Sequence, residues 1–161
     1  MSLYQFLASD SPLKDIQNPN VEIISLNEMA ERNIDVPEIL LNNKNIDPNE
    51  KIVLICESEE LLHEIEMRKD NPKGYALPYT SKKHVSEITF RYTDTRAEQL
   101  IEYIKDHLSI GGVLEIWSIW LDDLKEGIIE TKSQNDLTLE DIKKVLGPRS
   151  YELPRCLKIK K

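Results

Sequence analysis

The chain has 161 residues, 40% apolar and 31% charged, with a net charge of −8. That is one domain's worth of ordinary globular composition, long enough to bury a real core. No apolar run approaches the roughly 20 residues that span a bilayer. The opening MSLYQFLASDSPLKD lacks the basic and apolar stretches of a secretory signal, so a cytoplasmic location and no membrane partner are expected.

The first stretch, LYQFLAS, is apolar but too short to assign by periodicity. VEIISL, residues 21–26, is rich in β-branched residues and reads as a strand. Asn27 is the expected cap of a helix through EMAERN, and Pro37 the expected first position of another turn through PEILLNN. Ile46-Asp47-Pro48-Asn49 is a turn signal. KIVLIC, residues 51–56, reads as a second strand. In ESEELLHEIEMRKD, His63, Ile65 and Met67 alternate with Glu64, Glu66 and Arg68, which favours a strand over 62–68 against a charged helix. NPKGYALPYTSKK is a loop by its prolines and glycine.

EITFRYT alternates Ile88, Phe90 and Tyr92 with Glu87, Thr89 and Arg91 and reads as a strand. Thr95 and Glu98 have capping-box spacing. Behind them Ala97, Leu100, Ile101, Ile104 and Leu108 form one face of a helix, which Gly111-Gly112 ends. VLEIWSIWLDD follows, then a turn in DDLKEG and a strand in IIETK. Thr138 caps a second helix, with Glu140 and Asp141 in its first turn; Gly147-Pro148 stops it, and RCLKIK is a last strand. Residues 87–160 therefore read β-α-β-β-α-β, a ferredoxin-like order. The expectation is one α+β domain over 1–161, with a mixed or antiparallel sheet and helices on one face. Residues 1–86 would cover that sheet or extend it.

Both tryptophans lie in one segment. As a strand, it sends Val113, Glu115, Trp117, Ile119 and Leu121 to one side and Leu114, Ile116, Ser118 and Trp120 to the other. Each side is mostly apolar, the pattern of a central strand buried on both faces. The tryptophans are therefore expected in the core and do not form one aromatic platform.

No catalytic, cofactor or metal constellation emerges. Asp122 and Asp123 are adjacent and diverge on regular backbone, so they make a poor acid–base pair. His63, His84 and His107 lack metal-face spacing. Cys56 and Cys156 sit in apolar runs without C-x-x-C spacing and are expected as buried free thiols. Arg68, Lys69, Lys73, Lys82, Lys83 and Arg91 interleave with Tyr75, Tyr79, Phe90 and Tyr92, a mixture that holds single strands in some proteins. The aromatic-rich strand motif of RNA-recognition modules is missing, and a solvated loop is the favoured reading of 68–92.

Charge carries the remaining signal. Residues 1–66 hold 4 basic and 14 acidic side chains, residues 67–91 hold 6 and 2, and residues 92–161 hold 11 and 13. The acidic first part repels phosphates and suits a basic protein partner. Glu57, Glu59, Glu60, Glu64 and Glu66, with Asp122 and Asp123, are the candidate partner-binding residues. The expected function is a non-enzymatic protein-binding or regulatory domain, of inhibitor or immunity type, without a cofactor. A small-molecule or enzymatic site formed only in three dimensions, and nucleic-acid binding through 68–92, are the alternatives.

Overall fold

Strand β1 (Leu3–Ser9) runs inside a six-stranded mixed sheet and is buried from Tyr4 to Ser9. Alternate side chains enter two different cores, so the run carries no polar face, and periodicity is silent about such a strand. The computed structural model describes residues 2–69, 74–121, 126–148 and 153–161. It is an α+β fold that divides into two compact units, residues 1–17 with 63–161, and residues 18–62.

The larger unit holds β1, β4 (Glu66–Lys69), β5 (His84–Thr89), β6 (Val113–Trp120), β7 (Ile128–Ser133) and β8 (Arg155–Lys160). Its helices are α4 (Asp94–His107) and α5 (Leu139–Leu146). The smaller unit holds β2 (Glu22–Ile24), β3 (Val53–Ile55), α1 (Leu26–Glu31), α2 (Glu38–Leu41) and α3 (Glu59–Leu62).

The sheet order is β4-β5-β1-β6-β8-β7. Every neighbouring pair is antiparallel except β7 and β8. The second half does run β-α-β-β-α-β along the chain, but its sheet is not the ferredoxin-like one. Strand β1 sits between β5 and β6, and β7 and β8 pair side by side in parallel. The N-terminal residues thus extend the sheet from within, through β1, and at its edge, through β4.

Strand β6 is the central, doubly buried strand that its residues predict. On one face Leu114 and Ile116 join Leu7, Met67 and Ile159 beneath α4 and α5. On the other, Trp117 and Ile119 pack with Tyr4, Phe6, Ala8 and Cys156. Trp117 stacks on Phe6 at 6.1 Å between ring centroids. Trp120, at the strand end opposite Leu3, is only half-buried. Each fully buried large side chain contributes about 1.5–3 kcal/mol, so these two layers hold most of the unit's stability.

Several boundaries shift. Strand β5 begins at His84, because Val85 and Ser86 pair with Ala8 and Leu7; Phe90 and Tyr92 follow it and pack on the helix-side core. The cap of α4 is Thr93, whose side chain accepts from the Arg96 amide, rather than Thr95. The cap of α1 is Ser25, in a capping box with Glu28; Asn27 instead donates to Asn49 at 2.8 Å. The expected 62–68 strand shortens to β4, with α3 before it. Thr138 caps α5 as expected. Gly111 and Gly112 both take positive φ, which glycine alone adopts without strain.

One buried ion pair braces the helix side. Arg96 on α4 is almost wholly buried and donates to Glu64 at 2.9 and 3.1 Å and to the Arg91 carbonyl.

Candidate functional site

Residues 18–62 hold 10 acidic and 3 basic side chains, and so carry −7 of the net −8. The unit is built on the β2–β3 ribbon. Its inner side, with Ile24, Leu26 and Met29 buried, closes a small core against α1. Its outer side is apolar and open. Ile23 and Leu54 stand directly opposite each other in register, 44% and 52% exposed. Ile52 beside them, and Ile39 and Leu41 on α2, are exposed too.

Acids frame this ribbon. Glu22 forms a two-pronged pair with Arg32 at 2.8 Å. That hydrogen bond holds the Glu22 carboxyl below its ordinary range. Glu28 is lowered as well, by the Ser25 amide first and then by Lys51. An open groove of about 420 Å³ runs between residues 19–22 and 55–57, with Val21 and Ile55 as apolar walls and Glu22 and Glu57 as charged ones.

The seven candidate partner-binding residues separate. Glu57, Glu59 and Glu60 are exposed in this unit. Glu64 and Glu66 belong to the other unit, where Glu64 holds Arg96 and Glu66 is paired with Arg68. Asp122 and Asp123, like Lys73, lie outside the described residues.

The larger unit holds two polar clusters that sequence reasoning missed, since each joins residues far apart in the chain. In the first, Glu115 is buried on the strand side that also carries Trp117 and Ile119. Its Oε2 accepts from the Thr80 hydroxyl at 2.7 Å and from the Trp117 indole N–H at 3.0 Å. Its Oε1 pairs with Lys158, the residue opposite it on β8, at 3.3 Å. A polar residue within an apolar strand side was the available signal. With three partners the carboxylate is satisfied, as burial demands.

In the second cluster the Ser9 hydroxyl and His107 Nε2 are 2.8 Å apart. His84 is Ser9's partner across β5. Burial pushes the His107 ring below its ordinary value; His84 adds to that and Asp106 opposes it. A neutral imidazole beside a hydroxyl is the geometry of an activated nucleophile. Ser9, however, is 3% exposed and already accepts the Ser11 amide at 3.2 Å. The pair ties the end of β1 to the end of α4.

The aromatics of 75–92 do not lie together. Tyr79 packs on Trp117 at 5.5 Å, Tyr75 meets Tyr4 at 5.7 Å, and Phe90 meets Tyr92. Lys82 is paired with Asp10 at 2.6 Å. Among the described residues no group of three or more His, Cys, Asp or Glu is placed to hold a metal ion, and no helix is long and apolar enough to cross a membrane. Both cysteines are free thiols. Cys156 is buried as expected, whereas Cys56, at the end of β3, is only half-buried.

Compared with protein-family models, with curated proteins and with solved structures, the chain matches none.

Proposed function

We propose that this chain is a non-enzymatic protein-binding or regulatory domain, of the inhibitor or immunity-partner kind, whose 18–62 unit docks on a basic protein. One observation carries the reading: nearly all the net charge sits on a unit that also exposes Ile23, Leu54 and Ile52 on a single ribbon face. Apolar side chains supply contact area when covered, and the surrounding carboxylates speed encounter with a cationic surface and reject anionic ones. Glu57, Glu59 and Glu60, exposed on the same unit, are the carboxylates proposed to meet that surface.

The test is capture from native lysate at low and moderate salt, by the wild-type chain and by a Glu57→Lys/Glu59→Lys/Glu60→Lys variant. A stoichiometric basic partner retained by the wild type, lost by the variant and weakened by salt supports the reading. Equal retention by both, or no stoichiometric partner at either salt, removes it.

A further inference from the structure

Strand β7 ends the six-stranded sheet, and among the described residues no strand pairs with its outer side. The Ile128 amide donates inward, to the Pro154 carbonyl at 2.8 Å. Alternation along a strand then turns the amides and carbonyls of Ile129, Thr131 and Ser133 outward. Ile128 and Ile129 are both exposed. Such an edge is a template for another strand.

From this edge we propose that two copies of the chain associate through β7 of each, antiparallel about a two-fold axis at Thr131. The sequence IIETKS selects that register. Centred on Thr131, the outward groups of Thr131 face their own copies, and those of Ile129 face Ser133 of the other chain. Both are hydrogen-bonded pairs, as the outward direction requires. Glu130 then lies opposite Lys132 in both symmetry-related places, in the closer, non-hydrogen-bonded pairs. Centring on Glu130 or Lys132 sets like charges face to face. Charges on an edge strand usually discourage pairing; here their order makes one self-pairing complementary. Lys132 now pairs with Asp141 at 3.3 Å, and Asp141 keeps its bonds to Thr138 if Lys132 turns outward. The product is a continuous sheet of twelve strands.

Sedimentation of the full chain across a concentration series tests this. The wild type is expected to dimerise. Glu130→Lys alone, and Lys132→Glu alone, each put like charges in both pairs and should weaken the dimer about tenfold. An equimolar mixture of the two variants restores opposite charges and should form a heterodimer. Circular dichroism matching the wild type shows that each variant is folded. A wild type that stays monomeric at millimolar concentration overturns the proposal. So does a dimer indifferent to Glu130→Lys, or folded variants that do not associate when mixed.

Discussion

The side-chain amide of Asn18 donates to the carbonyl of Leu61 at 2.8 Å and to that of Leu62 at 3.3 Å. The first residue of the acidic unit thereby holds its last two. Its Oδ1 accepts the Asn20 amide at 2.9 Å, so a buried polar side chain is satisfied on both ends. Asn18→Ala leaves two carbonyls and an amide without these bonds, at a cost of about 1–3 kcal/mol. Hydrogen exchange should quicken in 18–62 and stay unchanged in the sheet. Uniform loss of protection over the whole chain would show that the clasp is not local to the unit.

Glu115 is the polar centre of the sheet face opposite the helices. Removing its carboxylate by Glu115→Ala strands the Trp117 N–H, the Thr80 hydroxyl and the Lys158 ammonium, and should destabilise the fold by about 3 kcal/mol. Glu115→Gln keeps an acceptor for Trp117 and should cost about half as much. Urea titration followed by tryptophan fluorescence measures both. A Glu115→Ala midpoint equal to that of the wild type would disprove a structural role for the cluster.

The two thiols should differ in reactivity. Burial, with the Glu115 carboxylate nearby, pushes Cys156 up to about 12. At pH 8 only about one molecule in ten thousand then carries its thiolate, the reactive form. Cys56 is half-buried and exposed enough to react, its Sγ donating to the Ser58 carbonyl at 3.3 Å. A disulfide reagent should consume one equivalent in the native protein and a second only on unfolding. Loss of the fast equivalent in Cys56→Ser assigns it; two fast equivalents would contradict the burial of Cys156.

His107 and Asp141 each contribute a pH dependence of the same sign. Burial lowers His107 from its ordinary 6.5, so the native state resists its protonation. The corresponding stability is complete above about 6.5, declines below that, and is gone once pH has fallen through the lower native value. Burial alone would raise Asp141, but the Thr138 hydroxyl and amide and the Lys132 ammonium outweigh it and hold it below 3.8. Its contribution is complete above that value and vanishes as pH falls through the lower native one. Thermal unfolding from pH 8 to pH 3 should show both declines. His107→Gln should flatten the upper one and leave the lower; an unchanged upper slope would place its origin elsewhere.

The fold was legible where one face of an element meets water, and in one long strand where neither does. Helix α4 declared itself through Ala97, Leu100, Ile104 and Leu108, and α5 through its Thr138 cap, its acidic first turn and its Gly147-Pro148 stop. Strand β6 was readable because two of its sides were apolar at once over eight residues. Strand β1 has the same double burial, but in seven residues too few turn signals bound it to separate strand from helix. The charge excess of the first part was visible in composition. Its exact seat was not: the sequence-level division fell at residue 66, whereas the compact acidic unit ends at 62 and excludes Glu64 and Glu66.

Local order, then, was determined largely by the chain itself: which segments are extended, which coil, that Thr138 caps α5, and that the tryptophans point apart. Those follow from the periods of strand and helix and from short-range hydrogen bonds. Partners across the sheet were decided only on folding. Nothing in LYQFLAS says that it enters between β5 and β6, or that β7 is left at an edge. Strand pairing depends on contacts between distant residues, and apolar side chains of similar size are nearly interchangeable as neighbours. The Glu115 and Ser9 clusters, and the outer side of β7, which no strand pairs with among the described residues, are consequences of that pairing.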